Sequence, residues 1–100
     1  MVTYLLGKAA VEDVEAWKSA FDRFDSFRTD HGQQGYQVFR NVDDQNEAVV
    51  LFEWTDDEDP RAFFASEEMR ERLAEAGVKG RPELTELEFI DQKSTHHPSA

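Results

Sequence analysis

The stretch Ala48-Val49-Val50-Leu51-Phe52-Glu53-Trp54 limits the possible folds more than any other part of the chain. Alternate side chains of a strand leave on opposite faces. Here both alternations are apolar, Val50, Phe52 and Trp54 on one and Val49 and Leu51 on the other. Such a strand belongs at the centre of a sheet that is covered on both sides. A chain of 100 residues makes one domain, since two separate cores would each be too small to hold together. Residues 1–91 are read as that domain and 92–100 as a flexible tail without periodicity.

The neighbouring segments can be read by period. Residues 2–6 form a strand closed by Gly7 and Lys8. Val14, Trp17, Phe21 and Phe24 then recur at spacings of three and four, which predicts one amphipathic helix over residues 12–30. Glu12 and Asp13 stand in its first turn, Arg28 and His31 in its last, and Gly32 stops it. A strand over 35–42, a polar turn at 43–46 and the central strand over 47–55 follow. Asp56-Asp57-Glu58-Asp59-Pro60 opens a second helix, whose buried stripe is Ala62, Phe63, Ser66, Met69, Leu73 and Ala76. Ser66 is a cap candidate, so a kink is expected there. Gly77 ends the helix, and residues 84–90 make the last strand.

The order βαββαβ is that of an α+β, ferredoxin-like fold with a four-stranded antiparallel sheet. Right-handed crossovers put both helices on one face. The third strand is apolar on both faces and the first carries Tyr4 and Leu6 opposite Thr3 and Leu5, yet there is no third helix to cover the second face. A second copy laid sheet against sheet supplies the cover, so a two-fold homodimer is expected.

Composition excludes several functions. There is no cysteine, hence no disulfide, thiolate nucleophile or thiolate-held metal. A net charge of −11, spread over the whole chain, opposes nucleic-acid binding and reads as a solvated surface that salt would screen. No apolar run reaches the ~20 residues that span a bilayer, and the start lacks a basic leader, so no membrane partner and a cytoplasmic setting are expected. His96-His97 and the 56–59 acidic run lack the spacing of a metal site, and no metal or cofactor is expected.

The stretch Val49–Trp54, followed by Phe63, Phe64, Ser66, Glu68 and Met69, resembles the dimeric α/β-barrel superfamily, which includes the antibiotic biosynthesis monooxygenases. A strand ending in Glu-Trp leads there into a helix of the form Phe-x-x-Ser. Residues 11–14 with Trp17 and Phe21, residues 38–40, and Ala76-Gly77-Val78 with Gly80 and Pro82 are similar to a subgroup labelled cyclase or monooxygenase-like. The resemblance implies a homodimer acting on an aromatic or polyketide-like compound without a cofactor. A deprotonated phenolic substrate would itself supply the electrons. Haem degradation is not implied, because the positions of that chemistry's axial His and its Trp fall on Leu73 and Phe63. The alternative is a non-catalytic, stress-associated dimer that only holds a hydrophobic ligand.

Such chemistry needs an apolar pocket with a base and an oxyanion stabiliser. The candidate catalytic residues are His31, Tyr4 and Tyr36; the candidate substrate-binding residues are Trp17, Phe21, Phe24, Arg28, Trp54 and Phe63. Each has a plainer reading. His31 can simply end a helix, and Arg28 can snorkel along the surface. Trp17 can be core, Trp54 can pack under the helices or in a dimer seam, and the tyrosines can rim an interface. The enzyme reading predicts a cavity of several hundred Å³ between sheet and helices.

Overall fold

The computed structural model describes residues 2–93. Its elements are β1 (Val2–Ala10), α1 (Val14–Arg23), α2 (Asp25–Asp30), β2 (Gln33–Asn41), β3 (Asp44–Thr55), α3 (Pro60–Ala65), α4 (Glu67–Glu75) and β4 (Glu83–Leu87). The four strands form one antiparallel sheet in the order β2-β3-β1-β4. This is the expected ferredoxin-like α+β fold, with β3 internal. His96 and His97 lie outside the described residues.

Register fixes the faces. Leu5 pairs with Phe52 and Gly7 with Val50 between β1 and β3, and Tyr36 pairs with Phe52 between β2 and β3. Leu5, Ala48, Val50, Phe52 and Trp54 therefore share one face, where they are buried with Trp17, Ala20, Phe21, Phe63, Phe64 and Met69 of the helices. On the other face stand Tyr4, Leu6, Val49 and Leu51, part-exposed, with Phe39 51% and Phe89 52% exposed. Phe89 packs on Tyr4 at 6.1 Å between ring centroids. No described element covers this side.

Both helical segments are broken. The expected single helix over 12–30 stops at Phe24, whose N–H bonds the Ala20 carbonyl at 3.1 Å, and α2 then starts afresh. Asp13 caps α1 from outside, accepting from Glu15 N, rather than standing in its first turn. The second break is the expected one at Ser66, whose backbone is extended (φ −66°, ψ 150°). Its hydroxyl donates to the Phe63 carbonyl at 2.7 Å and accepts from Met69 N at 3.2 Å, ending α3 and capping α4 together. Pro60 occupies the first turn of α3, with Asp59 as its cap.

All four strands differ in a boundary from the sequence reading. β1 runs on to Ala10 through Gly7 and Lys8, which do not close it because both keep pairing with β3 and β4. β2 begins at Gln33, with an irregularity before Gly35, because the chain re-enters the sheet straight after Gly32. β3 begins at Asp44, since the hairpin turns tightly at 42–43. β4 ends at Leu87, leaving Phe89 and Ile90 beyond its pairing with β1. Gly32 has φ +117°, and an added Cβ would meet Trp54 Nε1 at 2.5 Å. That close approach lets the indole N–H donate to the His31 carbonyl at 2.9 Å, pinning the end of α2 to β3.

Candidate functional site

The sheet and helices do not quite close on one another. A narrow apolar slot of about 50 Å³ runs between Gly7, Val50 and Phe52 of the sheet and Trp17, Phe21, Phe64 and Met69 of the helices. Gly7 forms part of its floor, having no side chain where a Cβ would come within 3.5 Å of Leu84. At Phe64, Leu73, Pro82 and Leu84 the slot joins a wider cavity of about 500 Å³ between α3, α4 and the 78–82 connector. The expected interior cavity of several hundred Å³ is thus corrected. The large aromatic rings fill most of the space beneath the helices, and the volume lies outside, at the mouth.

Arg28 is the one ionisable residue in the slot lining. It is 1% exposed and does not snorkel along the surface. The break at Phe24 turns it inward. There its guanidinium lies 3.7 Å from the centre of the Phe21 ring and donates from Nη1 to the Phe21 carbonyl at 2.9 Å. That carbonyl is near the end of α1, where backbone acceptors lack helical partners and the dipole favours a cation. Nε donates to Gln33 Oε1 at 2.7 Å, and Nη2 reaches Asp25 Oδ1 at 3.5 Å. Gln33 in turn donates to Asp25 at 2.9 Å and approaches Thr29 Oγ1 at 3.4 Å. Burial pulls the Arg28 pKa down, against the opposing pull of Asp25. An arginine has five N–H donors and these bonds use three, so two have no partner among the described residues.

The other predicted site residues fall in six places. Trp17 and Phe21 line the slot with Arg28. Tyr36 shares the helix-side face, with its ring edge-on to Phe21 at 4.9 Å, but does not line the slot. Trp54 and Phe63 are buried beside one another, 5.2 Å apart, and Phe64 rather than Phe63 reaches the slot. Phe24 lies outside it, near Arg23 and Arg72. Two of the proposed catalytic groups are also elsewhere. His31 is exposed, its Nδ1 donating to the Phe27 carbonyl at 2.8 Å, with its ring against Phe27 and Phe63. Tyr4 leaves from the opposite face of the sheet, in a surface cavity with Asp56, Glu86 and Phe89. Neither lines the slot in one chain. Gln33, which orients Arg28, was not among the candidates, and nothing but its position after Gly32 marks it.

Residues 8–74 match the antibiotic biosynthesis monooxygenase family. The chain belongs to that family. No curated protein matches it at the sequence level. Among solved structures it is similar to SnoaB, a cofactor-independent oxygenase from Streptomyces nogalater, with TM-score 0.66 and 19% identity over 91% of this chain and 94% of that one. A Bordetella bronchiseptica protein assigned to the same monooxygenases gives TM-score 0.70 at 12% identity, over 89% and 97%. A conserved protein from Methanosarcina mazei gives 0.63 at 14%, over 87% and 91%. At these identities the likeness is one of fold. Among the described residues no helix is long and apolar enough to cross a membrane, and no three potential ligands cluster as a metal site.

Proposed function

We propose that this chain, as a sheet-to-sheet homodimer, takes a small electron-rich phenol into the slot and its mouth and oxidises it with dioxygen without a bound cofactor. The observation that supports this is Arg28: a buried guanidinium on an apolar wall, held by three bonds and with two donors left over. A phenolic oxygen bound to those donors ionises more readily, because a fixed cation in a low-dielectric site stabilises the phenolate. The phenolate supplies the electrons. One oxygen atom enters the ring to give a quinone, and the other leaves as water with the ring hydrogen and the hydroxyl proton. No carboxylate, histidine or tyrosine lines the slot, so the proton passes to solvent through the mouth. A dry cavity of about 150 Å³ accepts benzene in another protein. At about 50 Å³ this slot must widen to seat a ring.

The test is oxygen uptake and quinone absorbance with a dihydroxynaphthalene. Uptake of one dioxygen per quinone, lowered roughly 100-fold in Arg28→Lys, is expected on loss of an oriented donor pair. Uptake no faster than in protein-free buffer overturns the enzyme. The absence of a proton acceptor in the slot favours a second reading, a dimer that binds its ligand without turnover. Saturable quenching of Trp17 by the same compound, with no uptake, would select it.

A further inference from the structure

Acidic residues outnumber basic ones in this chain by 22 to 11. Yet the cavity at the mouth of the slot is lined by Arg61, Arg70 and Arg81 and by no Asp or Glu. The three come from separate segments: α3, α4 and the connector before β4. Arg61 is partly neutralised by Glu86, whose Oε1 lies 3.5 Å from its Nε. Arg70 and Arg81 have no ion-pair partner among the described residues, and both are exposed. A concave, locally cationic surface on a strongly anionic protein concentrates anions against the general repulsion of the chain.

The rest of that lining is apolar and continues into the slot through Phe64, Leu73, Pro82 and Leu84. From these facts we infer that the ligand is an aromatic anion whose ring points toward Arg28 and whose carboxylate or sulfonate rests between Arg70 and Arg81. This deepens the proposed function, since it rests on the slot being the place where the ring goes. The occupant is a small molecule. The cavity of about 500 Å³ falls within the usual size of small-molecule sites.

A matched pair of fluorescent probes separates charge from hydrophobicity: anilinonaphthalene sulfonate and its neutral analogue N-phenylnaphthylamine. They are titrated against the parent protein, the double variant Arg70→Gln/Arg81→Gln and, as a slot-filling control, Gly7→Val, with Gly7→Ala as the milder form. The parent is expected to hold the sulfonate about tenfold more tightly, from two partly shielded charge pairs. The double variant should abolish that preference while leaving the neutral probe unchanged, and Gly7→Val should weaken both. Equal binding of the two probes, or a preference that survives the double variant, overturns the anion inference and leaves the slot standing. Binding of neither probe, or binding indifferent to both Gly7 variants, overturns the slot and the inference together.

Discussion

Arg28→Met removes the guanidinium but keeps a flexible, unbranched chain that can lie on Phe21. The bonds to Gln33 Oε1 and the Phe21 carbonyl are lost, each a bond to a charged group worth about 1.5–3 kcal/mol. The cation over the Phe21 ring adds about 1–2 kcal/mol. Asp25, with half its side chain exposed and 3.5 Å away, adds almost nothing. Against these losses, several kcal/mol of guanidinium desolvation is relieved. The balance is a destabilisation of about 2–4 kcal/mol, which for a domain of this size lowers the melting temperature by roughly 10–25 °C. Thermal denaturation by circular dichroism at fixed protein concentration reads it. Arg28→Met/Gln33→Leu, which also removes the stranded acceptor, should recover about 1 kcal/mol. Because burial weakens proton binding by Arg28 in the folded state, stability rises with pH only where that proton leaves, far above neutrality. The loss should therefore be constant between roughly pH 6 and 8. A single variant that melts within about 2 °C of the parent would refute the account of Arg28 as a bonded, structurally required cation.

Gly32→Ala combines positive φ with a Cβ driven into the Trp54 indole, and should cost about 2–4 kcal/mol with a red-shifted tryptophan emission; an unchanged melt and spectrum would contradict this. Leu51→Asp, on the uncovered face, should turn a dimer into a folded monomer by sedimentation, and a parent that already sediments as a monomer would remove the proposed dimer. The net charge of −11 should make the melting temperature climb between low and molar salt, by calorimetry; a flat response would show that self-repulsion is unimportant here. Lys18→Met should change the melting temperature by no more than about a degree, since its pair with Asp22 is solvent-exposed. The Asp22 bond raises the Lys18 pKa above 10.5, so even that small contribution is present at neutral pH and vanishes as pH rises through the folded value.

The architecture was legible because β3 carries its instruction in its own alternation. Val50, Phe52 and Trp54 against Val49 and Leu51 admit only an internal strand, and the two helical periods then leave few topologies. The site was legible only where it coincides with the helical stripe, at Trp17 and Phe21. A charged residue one turn past a stripe reads as solvated. Arg28 goes inward because the chain breaks at Phe24 and leaves a carbonyl needing a donor, which periodicity does not encode. Tyr4 and Tyr36 look alike in sequence, yet register sends them to opposite faces. Arg61, Arg70 and Arg81 share no spacing at all, being gathered by topology from three segments.

The break at Ser66 shapes the rim of the opening. Arg61, Phe64 and Ala65 belong to the rod before it, and Arg70, Leu73 and Ala74 to the rod after it, so the jaws around the opening are two stiff pieces joined through one residue. Ser66 is bonded to both rods: its N–H and hydroxyl donate to the Phe63 carbonyl at 3.1 and 2.7 Å, and its hydroxyl and carbonyl accept from the N–H groups of Met69 and Arg70 at 3.2 and 3.0 Å. The angle between the two sides of the rim is in this way set by one serine, and a residue there without a hydroxyl would leave both rods whole and their junction under-determined.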